Sequence, residues 1–270
     1  MKPTALSIEA LLKMKAAGEK IAVLTAYDAS MTQHLENAGV EVILVGDSLG
    51  MVVQGHDSTL PVTVDDMIYH CRLVARARQR ALLIVDMPYH SYTCAEEARA
   101  NAQRLIAEGG ADMVKLEGAG PVLEAITAII DAGIPVCGHL GLLPQSIEEL
   151  GGYKVQGREQ AAADRMLADA QALQAAGVDM LVLECIPSSL GKRITGAVSM
   201  ATIGIGAGPD CDGQVLVLYD LLGLTPGKRP RFSKDFLTEM EPGKGISEAV
   251  QAYVRAVKSG EFPAPEHGFK

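Results

Sequence analysis

The chain of 270 residues has no CxxC pair, no excess of positive charge, no long apolar run and no low-complexity tract. Each absence removes a class of function. Zinc ribbons and dithiol redox sites need cysteines paired at short spacing, whereas Cys71, Cys94, Cys137, Cys185 and Cys211 are scattered and odd in number. They read as reduced, mostly buried thiols, the usual state of free cysteine. A net charge of −9 argues against a nucleic-acid partner, because neutralising phosphates takes a basic face. It leaves open a small anion held by a local metal or lysine. No apolar stretch approaches the ~20 residues that span a bilayer, so no membrane partner is expected. The start, Met1-Lys2-Pro3-Thr4-Ala5, leads into a charged stretch rather than an apolar signal core. That predicts an unprocessed, cytoplasmic protein.

What is present is a core. Hydrophobic residues make up 48% of the chain, too many for disorder. They fall in short β-rich runs that alternate with longer helical patterns. The strand candidates are 21–26, 42–46, 82–86, 112–116, 134–138, 179–183, 202–205 and 214–218. Several are continuously apolar, as parallel strands buried on both faces should be. Helical stretches rich in Ala, Leu, Gln and Arg include 94–108, 120–131 and 159–176. Ala38-Gly39, Ala132-Gly133 and Ala176-Gly177 each end a helix on a glycine suited to a left-handed cap.

An extra helix is expected over 7–18, with Ser7 as N-cap and Ala10, Leu11 and Met14 at helical spacing. The segment 223–245, rich in Pro, Gly and basic residues, reads as an ordered loop, and a last helix runs over 247–259. Eight strands alternating with helices fit a barrel better than a doubly wound sheet, although strands seven and eight lie close together. The length suits one (β/α)8 barrel of ~250 residues, and no linker marks a boundary. The expected fold is therefore α/β: a single (β/α)8 TIM barrel spanning 1–270, with an extra N-terminal helix.

In such a barrel, catalysis gathers at the C-terminal ends of the strands. Here those ends carry Tyr27-Asp28, Asp47-Ser48, Asp86, Lys115 with Glu117, His139 and Glu184. One acid at a strand end is ordinary, since Asp makes good turns and caps. Acids at five strand ends, joined by a lysine and a histidine, are hard to ascribe to capping. Asp47, Asp86 and Glu117 follow neighbouring strands and offer oxygen ligands alone, which suits Mg²⁺ before Mn²⁺. Zinc is disfavoured because no Cys or His stands beside them in ligand spacing. The competing reading is solvated loop acids. Lys115 and Glu117 share a face of their strand. Lys115 then binds an anion, forms a Schiff base, or serves a structural ion pair. Neighbouring carboxylates favour charge pairing over a nucleophilic amine. His139 is a donor to substrate oxygen or a satisfied core histidine. Glu184, after four apolar residues, is a base of raised pKa or an acid at a helix start. Gly204, Gly206 and Gly208 do not complete G-x-G-x-x-G, and fit close packing as well as an anion nest.

The run Val45-Gly46-Asp47-Ser48-Leu49-Gly50-Met51, continuing through Gln54-Gly55-His56-Asp57-Ser58-Thr59-Leu60-Pro61-Val62-Thr63, resembles the ketopantoate hydroxymethyltransferases almost throughout. So do Lys115-Leu116-Glu117-Gly118, Cys137-Gly138-His139-Leu140-Gly141, Pro144-Gln145-Ser146, Gly151-Gly152-Tyr153-Lys154-Val155-Gln156-Gly157 and Leu183-Glu184-Cys185. The resemblance covers nearly the whole chain. It implies a magnesium site at Asp47, Asp86 and Glu117 and oxo-acid contacts from Asp47, Ser48, Asp86, Lys115 and His139. It also implies Glu184 as proton acceptor. The implied reaction takes 2-oxoisovalerate and methylene tetrahydrofolate to ketopantoate through a Mg²⁺-stabilised enolate, on the route to pantothenate and coenzyme A. The implied assembly is a cytoplasmic homo-oligomer, a decamer. His90 departs from the family pattern, which carries smaller or apolar residues there. Two rivals use the same residues: a Mg²⁺-dependent oxo-acid lyase or mutase of the isocitrate lyase type, and a non-catalytic barrel that only holds an oxo acid.

Overall fold

A computed structural model describes residues 5–147, 151–225, 227, 229–238, 240–241 and 243–270. The expectations for residues 1–4 and for part of the loop 223–245 lie outside the described residues. Eight parallel strands close a barrel in chain order. They are β1 (Ile21–Thr25), β2 (Val42–Val45), β3 (Leu82–Asp86), β4 (Met113–Glu117), β5 (Val136–Gly141), β6 (Met180–Glu184), β7 (Ala201–Ile205) and β8 (Gly213–Leu216). β8 pairs back onto β1, with Val215 opposite Val23. Every expected strand is present, with ends moved by a few residues at most.

Alternation along the strands sorts the core into two layers. Ile21 and Val23, Val42 and Leu44, Leu82 and Ile84, and Met180 and Val182 face the barrel axis. The residues between them, such as Ala22, Ile43, Leu83 and Leu181, pack outward against helices. Carried one or two steps further up, the inward parity reaches Asp86, Lys115, Glu117, His139 and Glu184. The barrel is thus apolar at its base and ionisable at its mouth, and β3, β4, β5 and β6 each make the change within two residues.

The outer elements are α1 (Ile8–Ala17), α2 (Ala29–Ala38), α3 (Leu49–Val52), α4 (Val64–Ala77), α5 (Ala95–Arg104), α6 (Leu123–Asp131), α7 (Gln160–Ala175), α8 (Ser188–Ala197), α9 (Leu218–Leu221) and α10 (Ile246–Ser259). The helix expected over 94–108 is α5 continued by a π turn, Leu105–Gly109. Gly39, Gly133 and Gly177 take the left-handed conformation read from their positions. Among the described residues no helix is long and apolar enough to cross a membrane.

The extra helix α1 closes the base of the barrel. Ser7 Oγ accepts from the Ala10 N–H at 3.2 Å, and Leu11, 1% exposed, joins the axial core. Lys15 donates to the carbonyls of Val198 and Met200 at 3.0 and 2.9 Å and to Asp212 Oδ2 at 2.9 Å. Asp212 Oδ2 also accepts the Thr202 N–H at 2.8 Å. One lysine therefore ties the starts of β7 and β8 together.

No helix separates β7 from β8, a departure from the regular βα repeat. Parallel strands ordinarily need a crossover of a dozen residues or more. Here β8 starts opposite Ile203, two positions short of the end of β7, so the return path is only ~7 Å. The glycines of this link serve close packing: a Cβ on Gly208 would stand 2.5 Å from that of Ser188.

Candidate active site

The seven residues to which the resemblance gives a role meet at the mouth. The Asp47 N–H donates to Asp86 Oδ2 at 3.0 Å. Lys115 Nζ lies 2.9 Å from Asp86 Oδ1 and 3.3 Å from His139 Nδ1. On the far side of the ring, His139 Nε2 stands 3.2 Å from Glu184 Oε2. Glu117 Oε1 approaches His139 Nδ1 at 3.4 Å. Ser48 shares a 2.8 Å hydrogen bond with the Tyr27 hydroxyl. A Cβ at Gly46 would come within 2.9 Å of Ser48 Oγ and 3.5 Å of Asp86 Oδ2, so only glycine leaves this corner open.

Local backbone geometry aims Glu184. The next residue, Cys185, has φ 47, a left-handed conformation rare outside glycine and typical of functional turns. The Glu184 carbonyl accepts the Leu142 N–H at 2.8 Å, and a Cβ on Gly141 would sit 2.1 Å from that carbonyl oxygen. β5 and β6 are therefore locked together at the level of the site.

Burial sets the electrostatics. It pushes Asp47 well up, reinforced by the charges of Asp86 and Glu117, and lifts Glu117 to about 7. Burial alone would lower Lys115, but Asp86, Glu117 and Asp47 more than reverse it and keep the ammonium charged. His139 is pushed down by burial and then by Lys115, so its ring is neutral. Lys115 only donates, which leaves the lone pair on Nδ1 and the ring proton on Nε2, facing Glu184. Burial raises Glu184, a trend that its contact with His139 opposes.

Gln145 belongs to the site, although residue type and spacing gave it no role. It sits on the short turn Pro144–Ser146 after β5 and is buried. Its amide donates to Asp47 Oδ2 at 2.8 Å and to the Met87 carbonyl at 2.9 Å, and its backbone N–H donates to Glu117 Oε2 at 3.0 Å. Tyr92 donates to its side-chain oxygen. The signal that reaches Gln145 in the sequence is the Pro144-Gln145-Ser146 match alone. Asp28 goes the other way. It caps α2, Oδ1 accepting from the Met31 N–H at 2.9 Å, and stands outside this network of contacts. His90 is exposed and stacked on Tyr89 at 3.8 Å.

Among the described residues no three His, Cys, Asp or Glu side chains form a ready ligand set for a metal ion. Asp47, Asp86 and Glu117 do converge, but Glu117 is turned to Gln145 and His139 and Asp86 to Lys115. The donor set nevertheless fits a hard divalent cation. Three buried carboxylates share one ammonium, and among the described residues that ammonium, 2.9 Å away, is the one cation at Asp86 Oδ1. Such an anionic excess in a dry site calls for added positive charge.

Fold and site together define a (β/α)8-barrel enzyme whose mouth is built from acids, one lysine and a neutral histidine. The chain belongs to the ketopantoate hydroxymethyltransferase family, whose model matches residues 5–265. It is thus a one-carbon transferase. It is 59% identical over 259 residues to the 3-methyl-2-oxobutanoate hydroxymethyltransferase of Alkalilimnicola ehrlichii, covering 96% of this chain and 92% of that protein. The protein of the same name from Nitrosococcus oceani is 58% identical over 264 residues, covering 97% and 98%. Two solved structures share the fold. One is 2,3-dimethylmalate lyase, a PEP mutase/isocitrate lyase superfamily member (TM-score 0.60, 14% identity, 96% and 97% covered). The other is phosphonopyruvate hydrolase in complex with oxalate and Mg²⁺ (TM-score 0.60, 13% identity, 94% and 99% covered). Identities this low carry the fold alone, so they do not favour the lyase alternative over the transferase.

Proposed function

We propose that the chain transfers the one-carbon unit of methylene tetrahydrofolate to 2-oxoisovalerate, yielding ketopantoate, with Glu184 as proton acceptor. The observation that carries the reading is the unbroken run of contacts from Asp86 through Lys115 and His139 to Glu184. That run supports the reading because the Lys115 ammonium and the Glu184 carboxylate, raised by burial, flank one neutral imidazole.

Lys115 and Ser48 bind the oxo acid, and the charge on Lys115 holds its carboxylate in place. Asp47 and Asp86 would hold Mg²⁺, with Glu117 the member of the trio most committed to protein donors. Bound there, Mg²⁺ supplies Lewis-acid polarisation of the keto oxygen. Glu184 takes the C3 proton, and the neutral His139 keeps its Nε2 proton toward that carboxylate. The electron pair left on C3 then forms the new C–C bond to the methylene carbon. One water is consumed overall. Its hydroxyl goes to the transferred carbon, while its hydrogen and the C3 proton end on the two nitrogens that the methylene had bridged.

The family resemblance also supports a single catalytic domain over 1–270, a cytoplasmic setting and assembly into a homo-oligomer, a decamer. The test of the chemistry omits the donor and follows exchange of the C3 hydrogen of 2-oxoisovalerate into deuterated water by NMR. Exchange should require Mg²⁺ and stop on chelation. Glu184→Gln should slow it ~10²–10⁴-fold, the usual cost of a positioned base. Exchange at full rate in the variant would assign the proton to another group.

A further inference from the structure

Residues 151–157, beyond β5, lie at the barrel mouth. At one end the Gln156 N–H donates to the Cys185 carbonyl at 2.9 Å, tying the segment to the residue after Glu184. At the other, the Tyr153 hydroxyl reaches Met51 Sδ at 3.9 Å. Met51 lies on α3, immediately beyond Asp47 and Ser48. β2 and β6 stand four strands apart in an eight-stranded barrel, so Tyr153 bridges opposite walls above the site. The electrostatics agree. Partial burial of the phenol, and then the charges of Glu184 and Asp47, push its pKa up.

Tyr153 nevertheless remains 66% exposed and Met51 38% exposed. An aromatic ring left this open on a loop contributes little to folding, and its neighbours Gly151, Gly152 and Lys154 do not cover it. Aromatic residues are only 4% of the chain, yet five of its seven tyrosines (Tyr27, Tyr89, Tyr92, Tyr153 and Tyr219) follow strands at this mouth. The floor of the site is polar and charged, suited to a small oxo acid. Its roof is flat and apolar with a polar tip, suited to a ring.

We propose that Tyr153, seated against Met51, is the stacking platform for the pterin ring of the one-carbon donor. The inference rests on the transfer reaction proposed above. A ring stacked there stands over Glu184, on the side where the C3 proton leaves and the new bond forms. The donor ring and the oxo acid are then held by different groups, the roof and the floor.

The experiment uses the full-length protein with Mg²⁺ and compares wild type, Tyr153→Phe and Tyr153→Ala. Titration calorimetry with tetrahydrofolate, which has no carbon to transfer, measures ring binding directly. Tyr153→Ala should weaken it five- to hundredfold, the range expected for losing one stacking contact. Tyr153→Phe, which keeps the ring, should stay within about threefold of wild type. The apparent KM for methylene tetrahydrofolate should rise in parallel with the loss of binding, while donor-free C3 exchange persists in both variants. Unchanged tetrahydrofolate binding in Tyr153→Ala overturns the proposal. So does a collapse of C3 exchange equal to the loss of transfer, because the ring would then serve the oxo acid. A change of particle mass in Tyr153→Ala without a change in binding would make the roof a subunit contact. Should wild type itself show no exchange, the proton-transfer reading fails while the calorimetry still decides the platform.

Discussion

His139 and Glu184 set each other's protonation, and that coupling is measurable. The base must be ionised to work, so donor-free exchange should rise with pH through the pKa of Glu184. Burial places that midpoint above the ordinary glutamate range of ~4.3. The contact with His139 opposes the shift, so His139→Leu should move the acidic limb to still higher pH. Replacement with no movement of the limb would uncouple the pair. Lys115 carries a separate expectation. Its ammonium is held charged by Asp86 at 2.9 Å, so borohydride added with 2-oxoisovalerate should leave no reduced adduct. Substrate mass recovered on a Lys115 peptide would make the amine a nucleophile. These residues were legible in the sequence because period-two alternation carried each apolar strand into its charged end. Gln145 was not, because its role arises from a turn that folds a neutral amide back over two acids, and residue type does not announce that. Asp28 shows the converse limit. At a strand end it looks like its neighbours, yet the backbone N–H three residues on claims its carboxylate.

At the level of elements, α1 has a specific task. Lys15 satisfies two carbonyls at the start of β7 and, at the start of β8, a carboxylate that already serves Thr202. Lys15→Met keeps the stem but strips the donor, leaving those acceptors unpaired at the barrel base. The expected cost is ~1–3 kcal/mol in urea unfolding. C3 exchange in the folded protein should be untouched, because the site lies at the other end of the strands. Stability equal to wild type would make α1 a passive cover. The helix itself was readable from Ser7 and the spacing of Leu11 and Met14. The missing helix between β7 and β8 was only hinted at by the short gap. Its physical reason, a stagger that shortens the return, depends on strand register, which a single chain's pattern does not encode. The π turn at Leu105–Gly109 was hidden for a similar reason, since it keeps the helical composition and changes only the hydrogen-bond step.

At the scale of the molecule, the proposed decamer predicts a particle about ten times the 28.5 kDa chain by sedimentation equilibrium. A mass of one subunit at working concentration would remove that part of the proposal. The placement of the tyrosines has a consequence of a different kind. The chain has no tryptophan, so its ultraviolet emission comes almost wholly from tyrosine, and five of the seven emitters ring the barrel mouth. The protein therefore carries an unlabelled optical reporter confined mainly to one end. Emission changes on adding oxo acid or tetrahydrofolate should report events at the mouth. Tyr253, on the buried face of α10 with its hydroxyl shared between the Val23 and Gln214 carbonyls, is the emitter that waits for the barrel itself to open.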